Sequence, residues 1–125
     1  MTLELARHGH RVTALDVDPE LIGELERRAG GLAVTGVVAD AREFELADRF
    51  ALCIVPMQTI QLLEGAEGRA AFLRCAARQL APNGALAVAV ENPAGNVTAG
   101  NPVPFDSAPL RSICSAAVTG TTRIF

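Results

Sequence analysis

Apolar positions along the chain alternate between two patterns. Short continuous runs are followed by stretches in which apolar residues recur every three or four positions. Val12, Ala14, Leu15 and Val17 form the first run, with β-branched residues that suit a strand covered on both faces. A helix start follows at once. Asp18 caps it, Pro19 enters the first turn with its φ already set, and Glu20 faces the positive helix end. This predicts a helix over Pro19–Ala29, with Leu21, Ile22, Leu25 and Ala29 on one face. Arg27 and Arg28 suit its last turn and Gly30-Gly31 its stop. Ahead of the first strand, Thr2–Arg7 reads as the last turns of another helix, ended by Gly9.

The alternation continues. Residues 32–39 predict a second strand with Val34, Val37 and Val38 in the core, and Asp40 directly after it. A polar link over 41–49 leads to Phe50–Val55, a continuous apolar run that suits a doubly covered strand, closed by Pro56. Residues 57–63 form a short helix or turn. A longer helix is expected over 66–80, with Ala70, Leu73, Ala76, Ala77 and Leu80 on its apolar face. Ala81-Pro82-Asn83-Gly84 is a turn signal, and residues 85–90 are the next strand. Strand and helix thus repeat every 25 to 30 residues or so, the rhythm of βαβ crossovers and a parallel sheet. Residues 91–109, with four prolines, two glycines and three asparagines, break the rhythm. The tail, 110–125, admits a short helix near 112–117 and a final strand.

At 125 residues the chain has the size of one domain. Half its residues are hydrophobic and a fifth charged, so it should fold around an aliphatic core. A net charge of −3 without a basic block gives no nucleic-acid signal. No run reaches the roughly 18 apolar residues of a membrane span, and the first residues lack a secretory pattern. A cytoplasmic protein is the default expectation. Cys53, Cys75 and Cys114 are too widely spaced for a zinc site, so no metal site is expected; Cys53 and Cys75 lie on apolar patterns and read as buried, reduced thiols. His8 and His10 flank a helix end as surface residues.

Asp16 and Asp40 end consecutive strands, where parallel nucleotide-binding sheets place a ribose carboxylate, so both should point into one crevice. Since Asp18 is the better helix cap, Asp16 is available to a ligand. Asp40 divides between a ligand role and the cap of a turn through Arg42 to Phe44.

Several stretches resemble the class I S-adenosylmethionine-dependent methyltransferases. Residues 5–20 look like that family's first helix and second strand, and Val38-Ala39-Asp40-Ala41-Arg42 like its third-strand motif. Residues 55–63 are similar to the segment after its fourth strand. Phe72-Leu73 with residues 80–86 looks like the helix and turn before its fifth, with Asn83 in place of a glycine. The resemblance implies an incomplete class I methyltransferase fold, a Rossmann-like parallel α/β sheet with flanking helices. Residues 1–92 would be its cofactor-binding core, and 93–125 a loop and partial C-terminal elements of the same domain. It further implies S-adenosyl-L-methionine as cofactor and methyl transfer to a small-molecule acceptor. Asp16 would hold the ribose hydroxyls and Val17 pack on the adenine. Asp40 would accept from the adenine amine beside the Ala41 amide, and Pro56, Met57 and Gln58 would line the methionine side. No catalytic residue carries over.

Two departures qualify this. The glycine-rich loop belongs about 20 residues before the ribose carboxylate, which falls ahead of Met1. The chain therefore reads as an N-terminally truncated domain without the central strand, leaving a gap of roughly 10 Å, twice the strand spacing. Either the flanking strands pair directly, or another segment or chain fills the gap; self-association through the exposed sheet is one such route. Ala51 also stands where an Asp often opens the fourth strand. A non-catalytic remnant or interaction module of the same fold is the alternative, and a nicotinamide-dinucleotide binder a further one, disfavoured by the segments after Val38 and Val55.

Overall fold

The computed structural model describes residues 1–57 and 59–90, and the backbone of 122–124. The elements run α1 (Thr2–Arg7), β1 (Arg11–Asp16), α2 (Pro19–Ala29), β2 (Val34–Val38), β3 (Phe50–Val55), α3 (Thr59–Leu62), α4 (Gly65–Gln79), β4 (Leu80–Val88) and β5 (Thr122–Ile124). All the strand pairs are parallel, and the sheet order is β2-β1-β5-β3-β4. The incomplete Rossmann-like α/β expectation holds.

The expected gap is filled from within the chain. β5 lies between β1 and β3, with Thr122 opposite Arg11, Arg123 opposite Val12 and Leu52, and Ile124 opposite Thr13 and Cys53. Among the described residues it pairs with the first half of β1, as far as Thr13, and with the middle of β3, as far as Cys53, short of Asp16 and Val55.

Local rules account for most boundaries. Asp18 Oδ1 accepts the Glu20 N–H at 2.8 Å, capping α2 with Pro19 in its first turn, and Gly30 ends it at a φ of 56°. α1 and α2 pack on β1 and β2, where Val12, Ala14, Ile22 and Ala29 are buried. The approach is close: a Cβ at Gly36 would lie 2.5 Å from Ile22 Cγ2. Across the sheet, Phe44, Phe50, Cys53, Phe72, Ala76 and Leu86 form the main core. Cys53 and Cys75 are both buried and free; Cys114 lies outside the described residues.

Four expectations shift. Leu21 and Val38 are not core residues but are 57% and 53% exposed. Val38 pairs with Asp16 at the carboxyl edge, beyond the cover of α2. The buried face of α4 is Gly68, Phe72, Cys75, Ala76 and Gln79, turned about one residue from the alanine and leucine stripe. Phe72 buries more area than any alanine, and Gln79, 3% exposed, is satisfied by backbone. With its amide oriented to suit its neighbours, its nitrogen donates to the Leu46 and Asp48 carbonyls and its oxygen accepts the Leu46 N–H. Lastly, the turn at 81–84 is absorbed into β4: Leu80 pairs with Phe50 and Ala85 with Leu52, so extra residues bulge out between them. Asn83 takes a φ of 63° there, and a Cβ at Gly84 would lie 2.8 Å from Ala81 O and 2.9 Å from Phe50 O.

The expected loop at 91–109 and helix at 112–117 lie outside the described residues, as do Gln58, Glu91 and Asn92. No helix among the described residues is long and apolar enough to cross a membrane.

Candidate functional site

A parallel strand delivers its last side chain to the carboxyl edge of the sheet, and there the two carboxylates take different surroundings. Asp16 closes β1. Its Oδ1 accepts the Asp18 N–H at 2.9 Å, and its carbonyl oxygen accepts the Ala39 N–H at 3.0 Å. The small turn that results fixes the carboxylate and leaves Oδ2 without a hydrogen-bond partner among the described residues. Val17, next along, is 70% exposed.

Asp40 is occupied. Arg42 Nε lies 3.0 Å from Oδ1 and 3.1 Å from Oδ2, Nη2 lies 2.6 Å from Oδ2, and the Arg42 N–H donates to Oδ1 at 2.8 Å. Arg42 Nη1 reaches on to Glu64, just ahead of α4. The Arg42 side chain, then its backbone amide, hold the Asp40 carboxyl at about 2, well below its ordinary value. This is the turn through Arg42 that the sequence left open, strengthened by a bidentate ion pair. Arg42 was not singled out from the sequence; its signal is the spacing of Asp40 and Arg42 across a turn.

Between the carboxyl halves of β1 and β3 lies a cavity of about 460 Å³. Its lining is mostly apolar and includes Leu15, Leu21, Val55 and Phe72. Asp16, Ala41, Pro56 and Met57 all border it, whereas Val17 and Asp40 do not. Asp16 carries the only charged side chain among the described lining residues. Pro56 is held by α3, whose Thr59 donates to the Pro56 carbonyl from Oγ1 at 2.8 Å and from its N–H at 3.3 Å. Met57 is left-handed, with a φ of 54°, and stands 80% exposed at the rim. For a bulky residue that backbone costs about 1–2 kcal/mol. Cys53 lines the cavity as an inert wall: burial pushes its thiol up to about 12. A smaller cavity of about 260 Å³ lies at the amino ends of β1 and β2, the opposite edge from the one where such sheets bind ligands.

Residues 1–84 match a family described as a methyltransferase domain. The chain belongs to that family. The match ends inside β4, so β5 lies outside it. No curated protein matches the chain.

Methyltransferase domains generally use S-adenosylmethionine, and the cavity can be tested for it. The adenosyl half fits. One carboxylate oxygen is open to a vicinal diol, apolar walls suit a base and a sugar, and the volume lies in the range of small-molecule sites. For the charged amino-acid half, the described lining residues offer no cationic side chain.

Proposed function

We propose that this methyltransferase domain binds the adenosyl group of S-adenosylmethionine at Asp16 and serves methyl transfer to a small-molecule acceptor. The observation that carries the reading is the convergence of Asp16, Ala41, Pro56 and Met57 on one apolar cavity at the carboxyl edge of a parallel sheet. When bound, the cofactor supplies an electrophilic sulfonium methyl group. The chain's own contribution is positioning. Asp16 Oδ2 accepts from the ribose hydroxyls while Oδ1 stays tied to Asp18, so the carboxylate does not swing. Leu15 and Phe72 supply apolar wall on the buried side of the cavity. The Cys53 thiol stays protonated and takes no part as nucleophile or base.

A second reading is favoured by the same lining. With Asp16 the only charged side chain of its described lining and β5 in the central place, the domain is a scaffold that holds an adenosyl group weakly without turning it over. Calorimetric titration with S-adenosylhomocysteine, on the native chain and on Asp16→Ala, tests both. Saturable binding that the variant weakens at least about tenfold, with its fold retained, supports the first reading. A folded chain that binds only in the millimolar range or more weakly favours the scaffold.

A further inference from the structure

Among the described residues β2 is the outermost strand on its side of the sheet, with β1 as its one neighbour. The Ala33 carbonyl accepts the Val12 N–H and the Ala39 N–H donates to the Asp16 carbonyl, which turns the odd-numbered residues of β2 toward β1. Backbone groups alternate along a strand, so Val34, Gly36 and Val38 direct their N–H groups outward. Two of these three donors are taken up by the chain itself. The Val34 N–H donates to the Leu32 carbonyl at 2.8 Å, and the Gly36 N–H donates to Glu26 Oε1 at 3.3 Å. Glu26 belongs to α2 and reaches the edge because residue 36 lacks a side chain: a Cβ there would lie 2.8 Å from that same oxygen. Val38 carries the third donor, beside a side chain that is 53% exposed.

We infer that Glu26 closes the outer edge of β2 against strand pairing with a second copy of this chain. A bare edge is a template for another strand, and the sequence Val34-Thr35-Gly36-Val37-Val38 is complementary to itself. Two copies related by a two-fold axis at Gly36 would set Val34 opposite Val38 and Thr35 opposite Val37, β-branched residues throughout. Glu26 opposes that pairing twice over. Its carboxylate holds the donor at the centre of the seam, and pairing would bring two like charges together there. Truncating the side chain frees the amide and lifts the repulsion in one step.

Sedimentation of the native chain and of Glu26→Ala over a range of concentrations tests this. Alanine suits an exposed helix position, so the variant should fold. It should associate with itself at least about tenfold more tightly than the native chain does. Adding Val38→Pro removes another outward donor from the same edge and should return association to the native level. Val38→Lys, which places a charge on that edge, takes its part if the proline variant does not fold. A Glu26→Ala chain that sediments as the native chain does overturns the inference. So does association that the second substitution leaves unchanged, because a different surface then carries it.

Discussion

The two halves of the sheet are built to different standards. β3, β4 and α4 enclose an aromatic core in which Phe50 and Cys53 are each 1% exposed and Ala76 is fully buried. β1, β2 and α2 bury Val12 and Ile22 among small residues, Ala14, Gly36 and Ala29, and leave Val17, Leu21 and Val38 in solvent. Burial stabilises by about 25 cal/mol per Å² of apolar area, so the first half dominates stability. The second half keeps its apolar surface at the carboxyl edge, beside Asp16, where a ligand is the natural cover. Rigidity and, on the proposed function, recognition are thus divided across the sheet.

Three experiments bear on that division. The largest effect is expected from Phe50→Ala, about 3–5 kcal/mol in urea unfolding, against about 2 for Ile22→Ala, the low end of such changes. Each borders a cavity, but Phe50 is the larger side chain and the more deeply buried, 1% exposed against 6% for Ile22. Equal losses would abolish the distinction. Next, Gly84→Ala should cost about 1–3 kcal/mol, because its new methyl group meets two carbonyl oxygens of the backbone. Gly36→Ala should cost a similar amount, since Glu26 Oε1 can swing away but Ile22 Cγ2, 2.5 Å from the new methyl, belongs to a buried β-branched side chain with little rotamer freedom. A marked loss at only one of the two glycines would mean that its half of the sheet is the stiffer. The smallest effect at neutral pH comes from Cys53. Its folded value is about 12 against an ordinary 9, so its contribution is complete below pH 9 and is lost as pH climbs towards 12. The sequence has no tyrosine and its 11 basic residues are all arginine, which leaves the thiols as the side chains that titrate in that window. Stability measured from pH 8 to 11 should therefore fall less steeply in Cys53→Ala than in the native chain.

Much of this was legible in the sequence where local chemistry decides. The Asp18-Pro19 start of α2, its end at Gly30 and the run Phe50–Val55 follow from caps and periodicity, and the structure keeps them. Misreadings arose where a distant partner decides. The face of α4 turned toward Phe72 and Gln79 because the loop at Leu46 and Asp48 supplies carbonyls that no helical pattern reveals. The signal at 81–84 marked a true backbone irregularity, but β3 runs alongside it and draws it into the ladder. Of the candidate site, the placement of Asp16 at a strand end could be read directly. The state of Asp40 could not, because it depends on how a guanidinium two residues away packs beneath Glu64.

The position of β5 has a consequence for how the molecule comes together. The segment that joins the two halves pairs with residues roughly 110 positions earlier in the chain, a separation that places the closing contacts among the slowest to form. Each half can assemble from neighbours in sequence as the chain emerges, β1 with α2 and β2, β3 with α4 and β4. The seam between them waits until residue 124 has been made. Until then both inner strand edges stand open, and an open edge is a template for another chain. A nascent population of this protein is therefore exposed to association through its centre rather than its rim, and quick capture of β5 is what forecloses it.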